Sequence, residues 1–171
     1  MPEPITDLVQ IRVLGEKKRE ENFRFRVHMK SHDHSDRILR RIAEGIEQQI
    51  DCTQCANCCR MATAKVTERD IDRLARHFRL KPARIMSDYV VPDAEEGHIL
   101  RRREDGECVF LSGNLCTVYE ARPDVCRRYP HLVRGDGSIA SRMWSMVDRA
   151  SVCPIVYNSL EAFKQHLRFR H

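Results

Sequence analysis

Eight residues constrain this chain more than any others: Cys52-Thr53-Gln54-Cys55-Ala56-Asn57-Cys58-Cys59 holds four cysteines in one short run. Two residues between cysteines let a single turn aim both sulfurs at one centre, and amides of that turn can bond the charged sulfurs. A third cysteine three positions on gives three donors from one loop, a run that iron–sulfur ferredoxins use. The other four cysteines, Cys108, Cys116, Cys126 and Cys153, all follow this group. Two well-separated C-x-x-C pairs would suggest a zinc ribbon; here the pairs overlap and Cys59 is added, so that pattern fits poorly. Cys58 and Cys59 are adjacent, and in an extended backbone their side chains point to opposite sides. The eight cysteines can therefore form two centres of four thiolates each. Alternatively, one four-ligand centre leaves spare cysteines to pack or to bind something else. Spacing alone does not choose between these.

Disulfides are the competing use of eight cysteines, and compartment decides between the two. The start of the chain, Met1-Pro2-Glu3-Pro4-Ile5-Thr6-Asp7, has neither the basic stretch nor the apolar run of a signal peptide. No later segment approaches the ~18 apolar residues of a membrane span. The expectation is a cytoplasmic chain with reduced thiols and no membrane partner. At 171 residues it reads as one domain, 1–171, with an N-terminal extension to about residue 20 and a motif region over 51–158. Apolar residues are 42% and charged residues 32%, which implies a thin core that metal helps to hold. Net charge is +5 with cysteines counted neutral. Four thiolates would remove about four charges from the chain's own balance. The basic excess is thus weak evidence for a nucleic-acid partner, and Arg101-Arg102-Arg103 reads as a solvated edge.

Periodicity gives mostly helix. Glu16 to Lys30 reads as helical, with Phe23 and Val27 an i,i+4 pair. Asp36 to Ile50 repeats Ile38, Leu39, Ile42, Ile46 and Ile50 at helical spacing. Thr67 with Asp70 resembles a capping box opening a helix with Ile71, Leu74, Ala75 and Phe78 buried. Lys81-Pro82 breaks it, and a short helix over 83–89 stops before Pro92. His98 to Arg102, Glu107 to Leu111 and Leu115 to Val118 are short extended candidates for a small β-ribbon. A helical turn falls near Pro123. A last helix runs from about Ser159 to Phe169, with Asn158 as N-cap and Glu161 at N3. The fold class is α-rich, with helices around an irregular, metal-stabilised cysteine core and a minor β-ribbon. Metal joining distant segments implies that metal-free protein is partly unfolded.

The motifs resemble a known family. Cys52-x-x-Cys55-x-x-Cys58-Cys59 resembles the CxxCxxCC signature of the YkgJ-type cysteine-cluster proteins, a bacterial family described as chelating zinc or iron. Cys108-Val109-Phe110-Leu111 is similar to its Cys-Pro-Phe-Leu segment, with Val109 in place of proline. The block from Cys116 through Tyr119-Glu120-Ala121-Arg122-Pro123 to Cys126-Arg127-Arg128-Tyr129-Pro130 matches closely, and Cys153-Pro154-Ile155-Val156 matches the terminal segment. The resemblance implies a metal centre. A similar cysteine domain occurs in flagellin lysine methylases, which implies an enzymatic alternative, although no glycine-rich cofactor loop is present here.

All eight cysteines, Cys52, Cys55, Cys58, Cys59, Cys108, Cys116, Cys126 and Cys153, are candidate ligands. Arg122 and Arg127 are candidates to stand behind them and offset thiolate charge, with Arg60 and Arg128 secondary. Tyr119 and Tyr129 either cover the site or pack in the core, and Pro123 and Pro130 fix turns that aim Cys126. His131 is the histidine closest to the cysteine block; His32 and His34 read as a solvated loop. The leading function is one or two iron–sulfur clusters of the 4Fe–4S type, in a redox, sensing or structural role. Zinc in a structural interaction module is the first alternative. A cluster-dependent enzyme or methyltransferase accessory is the second, with the protein partner or substrate unassigned.

Overall fold

The computed structural model describes residues 3–170. The helices in chain order are α1 (Leu8–Lys17), α2 (Arg19–Ser31), α3 (Asp36–Glu47), α4 (Cys52–Cys55), α5 (Asn57–Met61), α6 (Glu68–Phe78), α7 (Pro82–Tyr89), α8 (Asp124–Arg128), α9 (Ile139–Arg149) and α10 (Pro154–His166). Between α7 and α8 lie two antiparallel ribbons, β1 (Val90–Asp93) with β2 (Gly97–Leu100) and β3 (Leu111–Ser112) with β4 (Leu115–Cys116), then a 3-10 turn over Tyr119–Ala121. The chain is α-rich with minor β structure, as its periodicity predicts. Among the described residues no helix is long and apolar enough to cross a membrane. The residues fall into two compact units: one takes the chain up to Asp51 and again from Pro130 onward, the other takes Cys52–Tyr129.

The first unit is a helix assembly. α2 packs on α9, α3 on α10 and α9, and α1 on α10 and α2. The predicted 16–30 helix is divided at Lys18, whose backbone leaves the helical region. Its buried stripe is Asn22, Phe25 and Met29, while Phe23 and Val27 face solvent. Spacing of three and four residues admits either stripe, and packing chooses Phe25. In α3 the buried stripe is Leu39, Ala43 and Ile46, and Ile38 is exposed. α1 comes so close to the end of α9 that a Cβ on Gly15 would sit 2.4 Å from Ser151 Cα. α10 starts five residues before the predicted Ser159. Pro154 fits the first helical position because its missing N–H has no intrahelical partner there. Asn158 is consequently inside the helix, where its side chain donates to Ile5 O at 2.8 Å and accepts from Ile5 N at 3.0 Å. α9, where no element is predicted, is capped by Ser138 and buries Ile139, Met143, Met146 and Val147.

The second unit has its own core. Val66, Ile71, Leu74, Ala75, Ile85, Val90, Leu100, Phe110, Val118 and Ala121 form one apolar cluster under α6, α7 and the first ribbon. The Thr67–Asp70 capping box is present as predicted. Of the three extended candidates, 98–102 and 115–118 contribute strands, whereas 107–111 is mostly turn and gives only Leu111 to β3. The strand facing β2 is β1, which contains Pro92, where a break was expected. A two-stranded ribbon has free edges, so a residue without an N–H is tolerated there.

Candidate metal centre

The cysteine run folds as two tandem helical turns. α4 ends at Cys55, Ala56 takes a left-handed φ of 48°, and α5 begins at Asn57. Ala56 N donates to Cys52 O at 3.0 Å, Cys59 N to Ala56 O at 3.0 Å and Ala62 N to Cys58 O at 2.8 Å. The extended backbone considered above for Cys58–Cys59 is therefore replaced by a helix. Successive helical side chains diverge by only about 100°, so the objection to both facing one centre loses its force.

Later segments join this run through backbone bonds. Cys108 N donates to Cys59 O at 2.9 Å, and Leu111 N to Cys108 O at 2.9 Å. Cys116 pairs with Leu111 across the β3–β4 ribbon, and α4 packs against β4. Cys126 lies within α8, whose first amide, Asp124 N, donates to Asp70 Oδ1 at 3.0 Å. Asp70 thus works twice. One oxygen closes the capping box by accepting from Thr67 N at 3.0 Å and Thr67 Oγ1 at 2.7 Å, and the other fixes the cysteine-bearing helix. Arg73 pairs with the same carboxylate and donates to Arg122 O at 2.9 Å.

Four thiols form an electrostatic group. Cys59, Cys108 and Cys116 each act on Cys126, whose thiol burial and these neighbours push up to about 12. Burial also raises Cys108 and Cys116; each sulfur accepts a backbone N–H, from Phe110 and Val118 respectively. Cys59 goes the other way, down to about 7. The Cys58 thiol bonds its sulfur, and Arg60, Arg102 and Arg122 place positive charge nearby, against an opposing effect of burial. All eight cysteines lie outside any disulfide. Among the described residues no three His, Cys, Asp or Glu side chains stand as ligands around a single metal ion. The sulfurs are neighbours, not yet ligands. As a donor set they suit a thiophilic metal: half-buried sulfurs, of which Cys108, Cys116 and Cys126 resist ionisation alone and Cys59 does not, with amide donors and guanidinium groups to accept the charge once a cation binds.

The remaining predicted residues are placed as follows. Cys52 is exposed and Cys55 half-buried in α4. Cys153 is buried at the N-cap of α10 and belongs to the first unit, as does His131, which has a left-handed φ of 68°. Arg122 stacks 3.6 Å over the Tyr119 ring and is among the charges acting on Cys59, Cys116 and Cys126. Tyr119 is exposed and so does not fill the core, and Tyr129 is half-buried. Arg127 donates to Glu120 O, and Arg128 pairs with Asp124 at 2.8 Å. Pro123 precedes α8 and its carbonyl accepts from Cys126 N at 3.0 Å. His32 stacks on His28 with ring centroids 4.1 Å apart, and His34 lies tilted against His28 at 5.3 Å.

Three residues matter more than the sequence suggests. Arg60 donates to Glu107 Oε1 at 2.8 Å, Cys55 O at 3.2 Å, Gly113 O at 2.9 Å and Asn114 Oδ1 at 2.7 Å. Arg102, expected on a solvated edge, donates to Gly106 O at 2.6 Å, Ala62 O at 2.7 Å and Arg60 O. Arg103 likewise reaches Leu111 O and Glu107 at 2.5 Å each. A local charge run carries no sign of the distant carbonyls it will meet. Asp70 was legible as a cap and silent about Asp124.

No curated protein and no solved structure matches this chain. A family model does, over residues 51–154, from the residue before Cys52 to the one after Cys153, and its description is "Putative zinc- or iron-chelating domain". That span holds all eight cysteines and more than half of the chain, so the chain belongs to the CxxCxxCC family of zinc- or iron-chelating domains.

Proposed function

We propose that the second unit binds an iron–sulfur cluster of the 4Fe–4S type through Cys59, Cys108, Cys116 and Cys126. The observation that carries the reading is the mutual electrostatic proximity of these four thiols, drawn from four different segments. Amide N–H groups on the Cys108 and Cys116 sulfurs support it, because hydrogen bonds and nearby positive charge stabilise a cluster's thiolates and set its potential. Cys52, Cys55 and Cys58 lie in the same run as Cys59 and offer further thiol donors beside it, and an all-thiol donor set suits an iron–sulfur cluster. When bound, the cluster supplies one-electron redox chemistry or a structural cross-link. The chain's own residues hold its sulfurs, offset its charge and limit water around Cys126. Zinc at the same thiols, with an adaptor role, is the second reading, since the family description names both metals.

Anaerobic purification followed by iron, zinc and acid-labile sulfide analysis tests this. The expected result is a brown protein with about four iron and four sulfide per chain. A colourless protein with zinc and no sulfide would replace this reading by the second, and a chain with neither metal would end both.

A further inference from the structure

The cysteine run, the turn before Cys108 and the β3–β4 hairpin have little regular structure in common, yet one side chain bonds all three. The Arg60 guanidinium uses Nη1 on Cys55 O, Nε on Glu107 Oε1, and Nη2 on Gly113 O and Asn114 Oδ1. Each acceptor stands beside a thiol: Cys55 itself, Cys108 next to Glu107, and Cys116 two residues after Asn114. Asn114 closes the circuit by donating from Nδ2 to Gln54 O at 3.0 Å. The Arg60 carbonyl in turn accepts from Arg102, which also holds Ala62 O and Gly106 O. Arg60 is about 30% exposed at its side chain and Glu107 25%, so the bonds to Glu107 and Cys55 are partly shielded from water, while those to Gly113 and Asn114 are exposed.

We propose that Arg60 is the positioning residue of the metal centre, a planar fork that sets three cysteine-bearing segments in register before any metal arrives. This rests on the metal-binding reading above and goes beyond it. The geometry needs a guanidinium: a lysine ammonium at the same place keeps the charge but cannot direct donors to four acceptors in separate directions. The inference also limits the partial unfolding expected of metal-free protein. The run over 52–61 stays tied to 107–114 without metal, so the metal finds an assembled loop.

Two substitutions separate shape from charge. R60K retains the cation and R60M removes it, while N114A cuts only one arm of the circuit. In metal-free protein, amide exchange at residues 55–60 and 113–116 should speed up at least tenfold in R60K and R60M alike, and less in N114A, with exchange in α6 unchanged. In loaded protein, R60K and R60M should carry the parental metal content but release it to a chelator at least tenfold faster, and metal should raise their melting temperature by less than it raises the parent's. Parental exchange and release rates in R60K would overturn the proposal, because charge alone would then suffice. A parent that holds no metal but shows the exchange difference would end the metal-binding reading while leaving the positioning of the loop intact. Unchanged exchange in every variant would overturn the positioning itself.

Discussion

The two units keep their shape by different means. In the first, helices interdigitate around fully buried Phe25, Leu39, Met143, Leu160 and Phe163. Its buried cation, Lys164, is satisfied on the spot by Glu21 at 2.6 Å, Asn22 at 2.9 Å and Glu161. In the second, the apolar cluster covers α6, α7 and the first ribbon, while Cys108 and Cys116 only pack against it from partly buried positions. The cysteine segments are fixed by directional bonds from Arg60, Arg73, Arg102 and Arg103 to backbone carbonyls and carboxylates. Apolar packing is tolerant of direction and needs volume. Guanidinium bonds need little volume and fix direction. A segment that must aim sulfurs from single helical turns and two-residue strands is suited to the second device.

The comparison breaks most easily at Phe163. F163A should cost the first unit about 3–5 kcal/mol by loss of burial and the cavity left behind. Trp144, the only tryptophan, lies on α9 of that unit and reports its urea transition by fluorescence. Metal bound per folded chain should stay at the parental value; a proportional fall would show that the units do not hold their shape separately.

D70N should remove about 2 kcal/mol from the second unit, since the part-buried N–H groups of Thr67 and Asp124 lose the buried, ionised acceptor they share. The sign of its pH dependence is fixed. Burial works against ionisation of Asp70, but bonds from Thr67, the Asp124 amide and Arg73 outweigh it and hold the carboxyl below the ordinary carboxylate value. A lowered folded-state pKa contributes stability above the unfolded value of about 4 and loses it as pH falls below that. Parent protein melted between pH 5 and pH 3 should therefore lose its advantage over D70N; parallel curves would contradict the assignment.

G15A tests the close approach of α1, and overpacking there should cost about 1–3 kcal/mol, read in the Trp144 transition. The smallest effect belongs to Y119A. Tyr119 is exposed beneath Arg122, so the loss should be about 0.5 kcal/mol in thermal melts, with metal retained.

Legibility in the sequence followed the range of the interaction. The capping box of Thr67 and Asp70, the break at Pro82 and the buried Leu39–Ile46 stripe are local, and residues three or four apart announce them. The donor types of the site were legible for the same reason, because Cys52 to Cys59 is one run. Non-local placements were not. α9 lacked a predicted element although Ser138 caps it and Ile139, Met143, Met146 and Val147 repeat at helical spacing. Asn158 looked like a cap because its use, Ile5, lies 153 residues away. Arg102 looked solvated because its carbonyl partners at Arg60 and Ala62 are set only by the fold.

The metal content of C59S, C108S, C116S and C126S, each purified anaerobically beside C153S, tests the central assignment most directly. The account predicts that each of the four loses most of its bound metal relative to the parent chain. Full metal retention in any of these four would contradict the grouping of those sulfurs around one centre.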